Sequence, residues 1–269
     1  MVIQAVRSGI FYTLFFLITT ILSLVAALSL LVPPISQKAT MAIANFWCRI
    51  NLFLLRYVVG IRSVVTGIEN LPEGACIIAS KHQSDWDTIT LYPLLSHPSF
   101  TAKKELFKIP LLGTTLRLMD TISIDRKKRG GALLSLLEQS QRQIKKGRRI
   151  FIFPEGTRKP PLAEPNFRFG TAKLYETLNV PVVPVALNSG LFWGRNSKIL
   201  WPGIARAHIL KPIEPGLSAH EMHEQMSTAI EEESTRLILQ AIEEGLTRPI
   251  SPELRAAITK AQQNTPASD

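Results

Sequence analysis

Two short stretches of this 269-residue chain carry side chains that could do chemistry together. In the first, KHQSDWDT, His82 precedes Asp87 by five positions, at the end of the apolar run ACIIAS. A strand that delivers an imidazole into a loop, with a carboxylate as the next helix begins, provides a general base and the group that orients it. If Asp87 accepts a hydrogen bond from one ring nitrogen, the other is left to take a proton. That is the division of labour of a Ser-His-Asp triad whose serine is replaced by the hydroxyl of a substrate. In the second stretch, the apolar strand RRIFIF runs into Pro154, Glu155, Gly156, Thr157 and Arg158. A glycine lets the backbone approach a ligand closely, Thr157 offers a hydroxyl, and Arg158 offers a planar fork that suits a phosphate. Each motif alone also has a structural reading, as a surface-loop histidine beside solvated acids and as a strand-to-helix turn with a capping threonine. Lys103, Lys104 and Arg126 follow other β-rich runs. Strand ends in open α/β sheets converge on one crevice, where such cations could meet the same phosphate, although each is equally a solvated basic residue.

The elements that must hold these groups alternate between two periodicities. β-rich runs at 76–79, 99–102, 122–125, 149–153, 182–187 and 207–210 read as strands. Between and after them, 87–95, 131–146, 169–178 and 218–244 read as helices, the last opening with Ser218 as N-cap and Glu221 three residues on as a capping box. The alternation predicts an α/β domain over 63–246 with a largely covered sheet. The tail 247–269, with Pro249 and Pro252 and a polar end, reads as a short helix and a frayed terminus.

Composition narrows the class. At 46% hydrophobic and 19% charged the chain is not disordered, collagen-like or a polytopic transporter. Cys48 and Cys76 cannot staple a domain of this size and show no CxxC spacing, so the fold rests on its core. There is no P-loop or GxGxxG, and His97, His208, His220 and His223 are not joined by a plausible ligand set, so no nucleotide or metal site is expected. The formal charge, 31 − 21 = +10, calls for an anionic partner. The first sixty residues select lipid over nucleic acid. The 24 uncharged residues 9–32 make a helix of about 36 Å, long enough for a hydrocarbon layer of about 30 Å. This stretch is too long for a signal-peptide core and lacks a small-x-small cleavage site before Pro33, so it reads as a retained anchor stopped by the prolines. In the second apolar stretch, 39–59, Asn45, Arg49 and Arg56 share one face, which suits a helix in the interface or the second arm of a re-entrant hairpin. Residues 1–62 thus form an anchor. Lys38, Arg49, Arg56 and Arg62 against Arg7 place the remainder on the cytoplasmic side, the inner membrane in a bacterium.

In this order the residues resemble the 1-acylglycerol-3-phosphate acyltransferase family. HQSDWD (82–87) looks like its HxxxxD block, SIDR (123–126) its second, FPEGTR (153–158) its third and VPVVPVAL (180–187) its fourth. The resemblance covers roughly 68–187 and implies a glycerolipid acyltransferase on an α/β fold, a mixed sheet flanked by helices, often preceded by a helical hairpin at the membrane. It implies His82 as general base and Asp87 as its partner, with Arg126, Glu155, Gly156 and Arg158 serving the glycerol phosphate of the acceptor and Lys104 as a further candidate. Two departures stand out. Ser123-Ile124 occupies the place where many members carry a phenylalanine, and KPPLAEPNFRFG replaces the usual Gly-rich stretch, moving its small, basic character to Arg168, Phe169 and Gly170.

The implied reaction is transfer of a fatty acyl group from an acyl carrier protein or coenzyme A thioester to the sn-2 hydroxyl of 1-acyl-glycerol 3-phosphate, giving phosphatidic acid. No cofactor is expected beyond that thioester co-substrate. The implied partners are the lysophospholipid acceptor, the thioester donor and anionic membrane lipids, with no nucleic acid. Glycerol 3-phosphate and a lyso-aminolipid are alternative acceptors. A non-catalytic scaffold that binds anionic lipid fits the charge and the anchor but gives His82, Asp87 and Glu155 no task. A thioesterase with Ser84 as nucleophile would lack a GxSxG elbow.

Overall fold

Strands form where β-branched residues alternate between two apolar layers. In the computed structural model, which describes residues 1–28, 33–96, 98–125 and 131–264, the strands are β1 Ile61–Thr66, β2 Ile77–Ser80, β3 Ser99–Lys103, β4 Ile122–Ile124, β5 Ile150–Ile152, β6 Val182–Leu187 and β7 Gly203–Ile209. They make one sheet in the order β1-β7-β6-β2-β5-β3-β4. All neighbours are parallel except β6 and β7, whose antiparallel pairing sets Ala186 against His208. β2, β5 and β6 are buried along their whole length, as parallel strands covered on both faces must be.

The alternation sorts side chains into two cores. Ile78, Phe151, Val183 and Val185 face Trp86, Ile89, Leu55 and Phe11, whereas Ile77, Ile150, Ile152 and Val182 face Leu136, Leu174, Tyr175 and Met226. Full burial of each large apolar side chain is worth about 1.5–3 kcal/mol. The first core is covered by α1 Val2–Leu28, α2 Pro33–Leu54, α3 Trp86–Leu91 and α8 Pro252–Asn264, the last through Leu254 and Ile258. The second is covered by α5 Gly131–Lys145, α6 Gly170–Leu178 and the first half of α7 Ala219–Glu243. The Ser218 and Glu221 capping box opens α7 as expected.

The α/β class holds, with differences of detail. β1 was not among the expected strands, because IRSVVT carries an arginine on an edge whose residues are mostly exposed. A short helix, α4 Leu112–Leu118, lies where Pro110 and Gly113 suggest a loop. The helix expected over 87–95 closes early, passing into a 3₁₀ turn at Tyr92–Leu94, since Pro93 has no N–H to continue it.

The hairpin differs more. α1 begins at Val2, well before the uncharged stretch, because Gln4 and Ser8 are buried and find partners in the α/β domain. Gln4 Nε2 donates to the carbonyls of Leu200 and Val59, and Ser8 Oγ accepts from Leu200 N at 2.9 Å. Tyr12 donates to the Ser197 carbonyl. Residues 29–32, the expected end of the first helix, lie outside the described residues. Pro33 and Pro34 open α2, where proline is tolerated for want of a hydrogen-bond partner to its nitrogen. Trp47 Nε1 donates to Thr19 Oγ1 at 2.9 Å across the two helices, and a π-turn over Leu55–Val59 leads through Gly60 into β1. Because β1 and β7 run opposite to the other strands, the hairpin enters the sheet at the edge where β2, β5 and β3 end.

Candidate active site

β2 and β5 are parallel neighbours with Ala79 opposite Ile152, so the residues three beyond that pair meet, and those residues are His82 and Glu155. The His82 N–H donates to Glu155 Oε2 at 3.2 Å, and the imidazole stacks on Phe153 with ring centroids 3.7 Å apart. The Lys159 N–H closes the loop onto the His82 carbonyl at 2.8 Å. On the other side of β2, β6 leads into the turn Ser189–Leu191. Three adjacent strand ends therefore supply one site.

Asp87 lies in the first turn of α3 and is wholly buried. Its Oδ2 accepts from the Gln83 and Ser84 N–H groups at 2.8 and 2.9 Å and stands 3.0 Å from His82 Nδ1, while Oδ1 accepts from the Ser189 hydroxyl at 2.5 Å. A carboxylate can only accept, so Nδ1 carries the hydrogen and Nε2 keeps a free lone pair. The His82 side chain is 17% exposed, so that nitrogen remains reachable.

His82 lines a cavity of about 780 Å³. Its apolar lining includes Leu22, Ala26, Ile43 and Trp47 of the hairpin together with Leu116 and Met119. Its polar lining includes Thr157 and Arg158, with Lys103, Arg168 and Arg195, and Gly156 lies beside them. Arg158 pairs with Asp85 at 2.5 Å, and Arg195 donates to Thr157 Oγ1 at 3.3 Å. Gly156 adopts φ +67°, and a Cβ there would stand 3.2 Å from Arg168 Nε, so the Arg168 side chain crosses the turn where only glycine leaves room. An oriented imidazole in a cavity lined by cations and by apolar side chains can activate a hydroxyl on a molecule with one anionic and one hydrocarbon end.

A family model described as Acyltransferase matches residues 62–188. A Pseudomonas aeruginosa protein named 1-acyl-sn-glycerol-3-phosphate acyltransferase is 36% identical over 201 residues, covering 75% of this chain and 78% of that protein. The chain belongs to the 1-acyl-sn-glycerol-3-phosphate acyltransferase family. A chloroplastic relative of that name from Brassica napus is 31% identical over 175 residues, covering 64% of this chain and 49% of its own length. The crystal structure of a Thermotoga maritima 1-acyl-sn-glycerophosphate acyltransferase shares the fold, with a TM-score of 0.72 at 22% identity over 87% of this chain and 97% of that one.

In this acyltransferase the four motif regions do not all reach the cavity in the same way. His82, Gly156, Thr157 and Arg158 line it, whereas Lys104 does not: its ammonium pairs with Asp125 at 3.0 Å on an exposed turn, and the neighbouring Lys103 takes the lining position. Arg126 lies outside the described residues. Glu155, implied by the resemblance to serve the acceptor's phosphate, stands buried behind the cavity wall, 3.2 Å from the Lys81 ammonium. Burial raises its pKa above the ordinary carboxylate value, with Lys81 opposing the shift. A buried carboxylate offers no donor to a phosphate; it braces the histidine loop through the His82 N–H.

Several participants had no signal in the sequence. Lys81 is buried between Glu155 and Glu231 and lies over the Phe167 ring, contacts that come from the β5–α6 loop and from α7. Ser189 and Arg195 follow the fourth block in a stretch with no motif spacing, and only the parallel register of β6 with β2 brings Ser189 to Asp87. Ser84 is buried, and its hydroxyl accepts from the Trp86 N–H at 3.0 Å, so it caps α3 and does not present a nucleophile to the cavity. Among the described residues no group of three or more His, Cys, Asp or Glu side chains could hold a metal ion, and His97 lies outside them.

Proposed function

We propose that this acyltransferase transfers a fatty acyl group from an acyl carrier protein or coenzyme A thioester to the sn-2 hydroxyl of 1-acyl-glycerol 3-phosphate, giving phosphatidic acid. The observation that carries the reading is the imidazole held by buried Asp87 in a cavity lined both by Arg158, Arg168 and Arg195 and by apolar side chains of α1 and α2. The names of the Pseudomonas and Brassica relatives support the acceptor.

In this mechanism the glycerol phosphate rests near Gly156, Thr157 and Arg158, with Arg126 as a further contact, and the acyl chain of the acceptor runs toward the hairpin. His82 Nε2 takes the hydroxyl proton as oxygen attacks the thioester carbonyl. The tetrahedral adduct collapses with loss of the thiolate, which takes the proton back from His82. No acyl-enzyme forms. Asp87 holds the ring in the productive tautomer and stabilises the transient imidazolium.

α1 and α2 are each long and apolar enough to cross a membrane by length and composition. Ile10, Phe16, Leu17, Ile21, Leu24 and Val25 are exposed along α1, a face suited to lipid. Beyond Gln4, Ser8, Phe11 and Tyr12, Phe15 packs on Trp193, Leu14 and Ile18 lie against the first core, and Ala26 is buried, so one side of α1 is held by protein while the other is exposed. That one-sided docking supports a hairpin dipping into the cytoplasmic leaflet, with anionic lipids meeting the basic surface and the lysolipid entering laterally.

The test is acyl transfer by the purified, detergent-solubilised protein with lysophosphatidic acid, glycerol 3-phosphate and a lyso-aminolipid offered in parallel. Phosphatidic acid formed from the first and reduced about 10²–10⁴-fold in His82→Ala supports the reading. Transfer to another acceptor alone, or full activity in that variant, overturns it.

A further inference from the structure

The turn 156–158 is ringed by three guanidinium groups, and they are not equivalent. Arg158 faces Asp85 at 2.5 Å, so its charge is already met by a carboxylate. Arg195 donates to the Thr157 hydroxyl at 3.3 Å, and Arg168 lies across Gly156; among the described residues neither pairs with an acid. Both line the cavity. Two cations without counter-ions, converging on one short turn, leave an uncompensated charge where a ligand enters.

The turn itself is fixed to the general base. The Glu155 carboxylate holds the His82 N–H and the Lys159 N–H holds the His82 carbonyl, so whatever binds at 156–158 is tied to the position of the imidazole. The Arg168 backbone is anchored to the same loop by its N–H to the Pro154 carbonyl at 3.0 Å. Arg195 arrives from the loop after β6, beyond the stretch 62–188 that the family model matches.

We propose that Arg168 and Arg195 form the site for the phosphate monoester of the acceptor, with the Thr157 hydroxyl between them, and so select an acceptor that ends in a phosphate. This rests on the function proposed above. A monoester carries a charge of about −1.5 to −2 near neutral pH, which two free guanidinium groups match. On an acyl carrier protein the pantetheine arm is joined through a phosphodiester with a single charge, whereas coenzyme A carries a diphosphate and a 3′-phosphate monoester of its own, so a separate donor KM is needed to tell the two phosphates apart. In glycerol 3-phosphate only two carbons and the bridging oxygen separate the sn-2 oxygen from phosphorus. An anchor built on the loop that grips His82 therefore sets that oxygen near Nε2.

The experiment measures KM for lysophosphatidic acid and, separately, for the acyl donor in wild type, Arg168→Ala, Arg195→Ala and Lys198→Ala. Lys198 is an exposed cation in the same loop as Arg195 that does not line the cavity, and it controls for general charge. Each arginine variant should raise the acceptor KM about 10- to 100-fold, the effect of losing a charge-assisted hydrogen bond, with the donor KM and the Lys198→Ala protein at wild-type values. Arg195→Lys should recover only part of the loss, because an ammonium lacks the planar fork. An unchanged acceptor KM, a rise in donor KM alone, or an equal effect of Lys198→Ala refutes the site while leaving the acyl transfer intact. A wild-type protein inactive on lysophosphatidic acid instead removes the function on which the site rests, and the site with it.

Discussion

Asp87→Asn separates two roles of the carboxylate that are usually lost together. Asp87 Oδ2 receives two backbone N–H groups, from Gln83 and Ser84, besides facing His82 Nδ1, while Oδ1 receives one hydroxyl that can rotate. An asparagine must therefore keep its oxygen on the Oδ2 side, since an NH₂ there would oppose two buried donors at about 1–3 kcal/mol each. Its NH₂ then meets Ser189 Oγ, which can turn to accept. The oxygen still faces Nδ1, so the tautomer survives and only the negative charge is lost. A hydrogen bond to a charged group is worth about 1.5–3 kcal/mol, so turnover should fall about 10- to 150-fold with little change in acceptor KM. That is milder than the about 10²–10⁴ expected for His82→Ala. Asp87→Ala, by contrast, orphans four donors at about 1–3 kcal/mol each, a sum comparable to the stability of a whole domain, about 5–15 kcal/mol. It should fail to fold stably. Saturation kinetics on folded Asp87→Asn protein decides the matter. A loss equal to that of His82→Ala would refute the orientation assigned to the amide, and wild-type turnover would deny the carboxylate any part in the chemistry.

Three further outcomes follow from contacts described above. Gly156→Ala forces a Cβ onto a backbone at φ +67° and against Arg168, so it should cost about 1 kcal/mol of stability and raise the acceptor KM; an unchanged KM would show that Arg168 needs no clearance there. The pKa of Glu155 is raised by burial, so the folded state holds this proton more tightly than the unfolded one, and ionisation costs stability as pH rises through the folded value. Glu155→Gln should consequently gain stability over wild type progressively above the ordinary carboxylate value of 4.5, with Lys81 still paired to Glu231, and a pH-independent difference in urea midpoints would contradict this. Gln4→Leu strips partners from two carbonyls, Val59 and Leu200, and should lower stability by about 1–3 kcal/mol and expose α1 to protease; an unchanged cleavage pattern would mean that the helix is not docked through this residue.

The parts of the site that are readable from sequence are those whose contacts are local or ride on adjacent strands. His82 and Asp87 are five apart and close on each other through one turn, so their spacing carries the geometry. The two motifs meet because β2 and β5 are parallel neighbours in register, which the α/β alternation suggests without fixing the order. Ser189, Lys81 and Arg195 acquire their partners only through tertiary placement, and a lone serine, lysine or arginine in a polar loop has no periodicity to reveal it. Glu155 shows the converse. Its motif marks it for the site, but whether an acid faces ligand or core depends on which side of the turn the buried Lys81 lies. At the N-terminus, an uncharged run predicts where lipid can be, whereas the extra turns of α1 depend on Gln4 and Ser8 finding acceptors and donors nearly two hundred residues away.

The edge strand that receives the hairpin has a consequence for how the chain is made. β1 pairs with β7 alone, Ile61 opposite Gly203, a separation of 203 − 61 = 142 residues. At about 5–20 residues per second of synthesis, β1 waits roughly 7–30 s before its partner exists. Throughout that interval the helices ahead of it are complete while the strand they lead into has an unpaired backbone on both sides. The pairing that joins the anchor to the sheet thus waits, like β6 with β7, for the last strand, so a ribosome stalled short of residue 203 would hold a tethered chain with β1 unpaired.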